Sequence, residues 1–164
     1  MTGPALVLVG PPGAGKTTIG RLAAARLGVP FRDTDTDVET TAGKTVPEIF
    51  FDDGEPAFRE LEREAVRRAL AEHDGVLSLG GGAVLSAETR ALLKGHRVVF
   101  LSVGLTDATK RVGLSAPRPV LGLNPRAQLR ELLDARLPLY REVAAAEVAT
   151  DGLTPQQVLA AVLA

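Results

Sequence analysis

The sequence predicts one α/β domain, a mainly parallel five-stranded sheet with helices on both faces. Three observations carry that prediction. Short, nearly continuous apolar runs such as Ala5–Val9 and "RVVFLSV" suit strands buried on both faces rather than strands with one wet side. Segments with apolar residues spaced near 3.6 lie between them, which is the alternation of an α/β sheet. At 164 residues the chain is long enough for one well-buried domain and too short for two ordinary ones.

The elements follow in order. Ala5–Val9 is the first strand, closed by Gly10. From Thr18, Ile19, Leu22, Ala23 and Leu27 fall at helical spacing, and Gly28 ends that helix in a left-handed conformation. "VPFRDTD" supplies a short strand ending near Asp33. Phe58, Leu61, Ala65, Val66, Ala69 and Leu70 make Glu55–His73 a long amphipathic helix. "GVLSLGGG" is a buried strand running into three glycines, and Ser86 caps a helix to Lys94. After the strand "RVVFLSV", Thr106 caps a further helix, followed by the Gly/Pro-rich loop "GLSAPRPVLGLNP". A helix from about Arg126 to Leu137, a weak strand at Glu147–Ala149 and a final helix opened by the "TPQQ" capping box complete the chain.

Composition narrows the function. A net charge of −1 gives no electrostatic case for nucleic acid or an anionic membrane surface. No cysteine is present, which removes disulfides, thiolate metal sites and a cysteine nucleophile. His73 and His96 have no metal-ligand spacing and read as surface or helix-end residues. The opening residues carry no charged stretch before an apolar run far too short to span a bilayer, so the cytoplasm is the expected compartment.

The chemistry begins at Gly10-Pro-Pro-Gly-Ala-Gly-Lys-Thr17, which satisfies G-x-x-x-x-G-K-[ST] between a predicted strand and a predicted helix. Gly13, Ala14 and Gly15 let successive backbone N–H groups curl around a polyphosphate, and the helix N-terminus adds a favourable dipole. Lys16 would reach the β- and γ-phosphates, the Thr17 hydroxyl would bind Mg²⁺, and the pattern determines Thr18 less. A dinucleotide fingerprint fits worse, because Thr18 stands where its third glycine belongs. The sole asparagine, Asn124, lies outside any Asn-Lys-x-Asp element, which counts against a guanine-specific switch protein. The length favours a compact phosphotransferase, and such an enzyme needs an acceptor site shielded from water.

Candidates for that site carry two readings each. Asp33 and Asp35 are two apart at a strand end: one carboxylate can support Mg²⁺ and the other an acceptor hydroxyl, or the stretch is a helix start capped by Asp35 or Thr36. Arg59 and Glu62 share a helical face beside the apolar stripe. Arg59 can hold a carboxylate through its planar fork, or join Arg63, Arg67 and Arg68 in a solvated face paired to Glu55, Glu60 and Glu64. The helix pattern alone favours the solvated face. Arg118, between prolines in "APRPVL", is a surface residue or a lid arginine over the phosphates. Arg136, just before Pro138, can satisfy the last carbonyls of a helix.

Taken together, "GPPGAGKTTIGRLAA", "DTD", "DGEPAFRELE", "LSLGGGAV", "RPVL" and "RLPLYREVA" occur in the order and approximate spacing of the shikimate kinases, and the chain resembles that family over essentially its whole length. The resemblance implies the three-layer P-loop kinase fold of the nucleoside monophosphate kinases, as a single domain with a substrate-binding segment near residues 34–62 and a lid near 113–125. It implies transfer of the ATP γ-phosphate to the 3-hydroxyl of shikimate, a step toward chorismate and the aromatic amino acids. Carried over by residue, Lys16 serves phosphates, Thr17 and Asp33 serve Mg²⁺, and Asp35 contacts the shikimate hydroxyls as the leading candidate base. Arg59 and Arg136 clamp the carboxylate, Glu62 orients Arg59, and Gly80, Gly81 and Gly82 present backbone. Arg118 becomes the lid arginine, while Arg111 and Pro155 lie near adenine. The expected partners are ATP and shikimate alone, with no nucleic acid or membrane and a monomeric chain. A sugar-acid kinase acting on gluconate is the nearest rival, followed by a nucleotide-binding module without acceptor chemistry.

Overall fold

The computed structural model describes residues 3–104 and 125–164. Five parallel strands form one sheet: β1 (Leu6–Val9), β2 (Phe31–Asp33), β3 (Val76–Ser78), β4 (Val98–Ser102) and β5 (Ala146–Ala149). Their spatial order is β2-β3-β1-β4-β5, so β1 is central and pairs with β3 on one side and β4 on the other. The helices are α1 (Lys16–Leu27), α2 (Thr34–Ala42), α3 (Val46–Asp53), α4 (Glu55–Glu72), α5 (Ala87–Leu92), α6 (Pro125–Val143) and α7 (Pro155–Leu163).

Alternation along the central strands builds the layers. Leu6 and Leu8 of β1 point to one face, where they pack with Ile19 and Ala23 of α1 and Val158 and Val162 of α7. Val7 and Val9 point to the other, against Val66 and Ala69 of α4 and Tyr140 of α6. Both faces are therefore covered, as the uniformly apolar sequence of β1 requires. Away from the sheet, Val38, Ile49, Phe58 and Ala65 form a separate cluster that joins α2, α3 and α4. The three turns after β1, β2 and β3 open at the same edge of the sheet, which is where ligands bind in such folds.

Several boundaries differ from the sequence expectation, each for a physical reason. Helix α1 starts at Lys16, two residues before Thr18, because Gly15 takes the left-handed N-cap position at φ 90°. The helix after β2 is capped by Asp33, whose side chain accepts from the Asp35 amide at 2.9 Å; neither Asp35 nor Thr36 is the cap. Helix α3 had no apolar period long enough to foresee and is fixed by a Thr45–Glu48 capping box. Helix α6 runs through Pro138 to Val143, so Arg136 lies inside it and not at its end. Pro138 removes one backbone hydrogen bond, but the burial of Tyr140 beyond it keeps the chain helical. The Thr106 helix, Arg111, Arg118 and all of the expected lid but Pro125 fall outside the described residues.

Candidate active site

The loop from Gly10 to Thr17 leaves the end of the central strand and feeds α1. Gly13 and Gly15 both hold positive φ, 84° and 90°, a conformation that strains any residue with a Cβ. Gly15 has no side chain with which to cap α1, so the amides of its first turn and the positive end of its dipole face the loop. The Lys16 ammonium donates to the carbonyls of Gly10 at 2.7 Å and Pro11 at 3.0 Å, which holds its charge across the loop. Gly13, Gly15, Lys16, Thr17, Asp33 and Asp35 all line one cleft of about 310 Å³. A second cleft, of about 280 Å³, opens between Ala14, Gly15 and Thr18 and the residues Thr150, Leu153 and Pro155. Pro155 and the phosphate loop are thereby brought together, 140 positions apart in sequence.

Thr17 and Asp33 meet at the inner end of the first cleft, where the Thr17 hydroxyl donates to Asp33 Oδ2 at 3.4 Å. One hydroxyl and one carboxylate beside a phosphate cradle fit Mg²⁺, which takes few protein oxygens and fills its octahedron with water and phosphate.

Beside Asp35, the glycines after β3 gather a cluster of charged side chains. The amide of Gly80 donates to Thr34 Oγ1 at 3.2 Å, which fixes the turn to the start of α2. A Cβ on Gly80 would lie 2.5 Å from Asp35 Oδ1 and 2.9 Å from Glu62 Oε2, so two carboxylates crowd one point of backbone. Burial pushes the Asp35 carboxyl up to about 6, helped by the negative charges of Asp33, Glu62 and Glu39 and opposed by Lys16. Glu62 is 3% exposed and also raised by burial, although Arg59 and Arg136 pull it down. Its Oε1 accepts from Arg59 Nη1 at 2.8 Å, whereas its Oε2 is buried with no hydrogen-bond partner among the described residues.

Arg59 is held on three sides: by Glu62, by Glu55 at 3.1 Å, and by the Phe58 ring, whose centroid is 5.1 Å from the guanidinium carbon. Gly82 lies so close to the guanidinium that any Cβ there would collide with it. Arg136, 6% exposed, reaches the same region from α6. The two readings of the long helix therefore divide along its length. Arg67 and Arg68 do form exposed pairs with Glu64, while Arg59 and Glu62 turn inward.

Tyr140 had no role in the sequence reading. It is fully buried, stacks on Phe100 with centroids 4.9 Å apart, and donates its hydroxyl to the Gly81 carbonyl at 2.6 Å. The Arg136 guanidinium is near enough for its charge to act on the same hydroxyl. The available signal was its position four residues after Arg136, hence on the same helical face.

Comparison with known proteins fits this geometry. The family model described as shikimate kinase matches residues 12–164. The chain is 61% identical to a shikimate kinase of Streptomyces avermitilis over 163 residues, covering 99% of this chain and 95% of that protein. It is 67% identical to one of Saccharopolyspora erythraea, covering 93% and 87%. Among solved structures, the shikimate kinase of Acinetobacter baumannii in complex with shikimate superposes with a TM-score of 0.93 at 38% identity, covering 99% of this chain and 92% of that one. A gluconokinase of Sinorhizobium meliloti covers 99% and 90% with a TM-score of 0.56 at 17% identity, a likeness of fold alone.

Proposed function

The chain belongs to the shikimate kinase family, and from that premise we propose how its own residues carry the γ-phosphate of ATP to the 3-hydroxyl of shikimate. One observation supports the reading above the others: Asp35, Glu62, Arg59 and Arg136 converge on the glycines after β3, within reach of the phosphate loop.

Arg59 and Arg136 take the shikimate carboxylate, each charge-assisted bond contributing about 1.5–3 kcal/mol. Glu62 keeps Arg59 aimed, and the backbone of Gly80, Gly81 and Gly82 receives the ring. Asp35 accepts the proton of the attacking hydroxyl as its oxygen bonds to the γ-phosphorus and the bond to the departing ADP oxygen breaks. The transition state of phosphoryl transfer is loose, so a modest base suffices and positioning matters more. Gly13, Ala14, Gly15, Lys16 and Thr18 cradle the phosphates, with Pro155 and Arg111 assigned to the adenine side. Thr17 and Asp33 would hold Mg²⁺, which neutralises charge building on the phosphate oxygens. Arg118 is assigned to a lid over residues 113–125 that dries the site, and residues 34–62 to the substrate-binding segment. The product lies on the route to chorismate.

The working unit in this reading is a single chain, and its compartment is the cytoplasm. Among the described residues no helix is long and apolar enough to cross a membrane. Incubation with ATP, Mg²⁺ and either shikimate or gluconate, with product mass measured, tests the assignment. Phosphorylated shikimate is the expected product, and faster turnover of gluconate overturns it.

A further inference from the structure

We propose that Tyr140 is a positioning residue for the acceptor: its hydroxyl ties the helix carrying Arg136 to the glycine turn, and so sets the span between the two ends of the substrate pocket. The inference rests on the assignment of Arg136 and Gly80–Gly82 to shikimate given above.

Stacked on Phe100 and 1% exposed, the ring would pack as well without its oxygen. A hydroxyl at that depth is unfavourable unless it is fully hydrogen-bonded. What it meets belongs to the acceptor site: it donates to the Gly81 carbonyl at 2.6 Å, and the positive charge of Arg136, on the same helix, acts on it. Burial, against the opposing charge of Arg136, pushes the phenol up to about 12, so it stays neutral and keeps its proton to donate. Gly81 has no side chain to orient its peptide, and Arg136 has a long flexible stem. One oxygen therefore fixes the Gly81 peptide to the helix from which Arg136 projects. The neighbouring groups are held separately, Gly80 by Thr34 and Arg59 by Glu62.

The chain's sole tyrosine and its lack of tryptophan make the test direct. In Tyr140→Phe, KM for shikimate is expected to rise about five- to tenfold, the worth of one lost hydrogen bond, with a smaller fall in kcat and an unchanged KM for ATP. Phe100→Leu, which loosens the ring but keeps the hydroxyl, should lower the melting temperature and leave KM for shikimate near wild type. An unchanged KM in Tyr140→Phe, or an equal rise in Phe100→Leu, overturns the proposal. In the wild type, shikimate should shift the single tyrosine signal in near-ultraviolet circular dichroism at the affinity that calorimetry gives. Saturable binding with no shift also overturns it, even if Tyr140→Phe does not fold. A wild type that does not turn over shikimate at all is a separate result, the failure of the assignment itself.

Discussion

Asp35 carries two opposed expectations, one for stability and one for its proposed role as base. Its carboxyl sits near 6 instead of 3.8 because burial and the charges of Asp33, Glu62 and Glu39 disfavour ionisation. An acid whose pKa is raised on folding stabilises the fold only while protonated: the contribution is complete below the ordinary value and is lost as pH rises through about 6. Asp35→Asn should therefore raise stability at pH 7.5 by about 2 kcal/mol, or about 4–8 °C in melting temperature, with the gain fading toward pH 4. The same variant should lose about 10²–10⁴ in kcat. Thermal scans without ligand across pH check the first part, and steady-state assays the second. Lys16→Met should cost about 10²–10³ or more in kcat, the scale of losing a preorganised charge stabiliser. In Arg136→Ala the loss should fall mainly on KM for shikimate, and a KM near wild type would count against the clamp.

At the scale of elements, Gly20 in α1 sets two effects against each other. Alanine is favoured over glycine in a helix interior by about 1 kcal/mol. Yet a Cβ at this position would meet the Phe31 ring of β2, 3.0 Å from Cδ1 and closer still to Cε1. Overpacking of that kind costs about 1–3 kcal/mol, so Gly20→Ala is expected to destabilise, and urea denaturation gives the sign. Helix α2 shows one residue serving two elements, since Asp33 caps it through Oδ1 and faces Thr17 through Oδ2. Its sequence, Thr34 to Ala42, is short, polar and rich in threonine, so no period announced it. Helix α6 was legible as far as Pro138. The sequence could not reveal that the chain stays helical beyond it, because the cause is the distant contact of Tyr140 with Phe100 and Gly81.

For the whole molecule, the site is assembled from elements that pack on both faces of the sheet: α1 on one side, α4 and α6 on the other. Ligands that join them should stabilise the fold globally. Shikimate at a hundred times its Kd is expected to add about 2.7 kcal/mol, read as a rise in melting temperature, and Arg136→Ala should abolish that rise at the same concentration. The layered α/β architecture was readable because both-face burial forces continuous apolar strands, and the family because its motifs keep their order along the chain.

By itself the sequence determined the phosphate loop, whose function lies in consecutive backbone, and the layered sheet, whose signal is local hydrophobic spacing. It also supplied, through resemblance, the residues proposed for the acceptor end. Only the tertiary structure decided that Arg59 turns inward while Arg67 and Arg68 do not, that Glu62 is buried with one oxygen unpaired among the described residues, and that Tyr140 ties the helix carrying Arg136 to Gly81. Those facts depend on residues tens of positions apart meeting across the sheet edge. Pairwise distance of that kind leaves no periodic trace in a single chain.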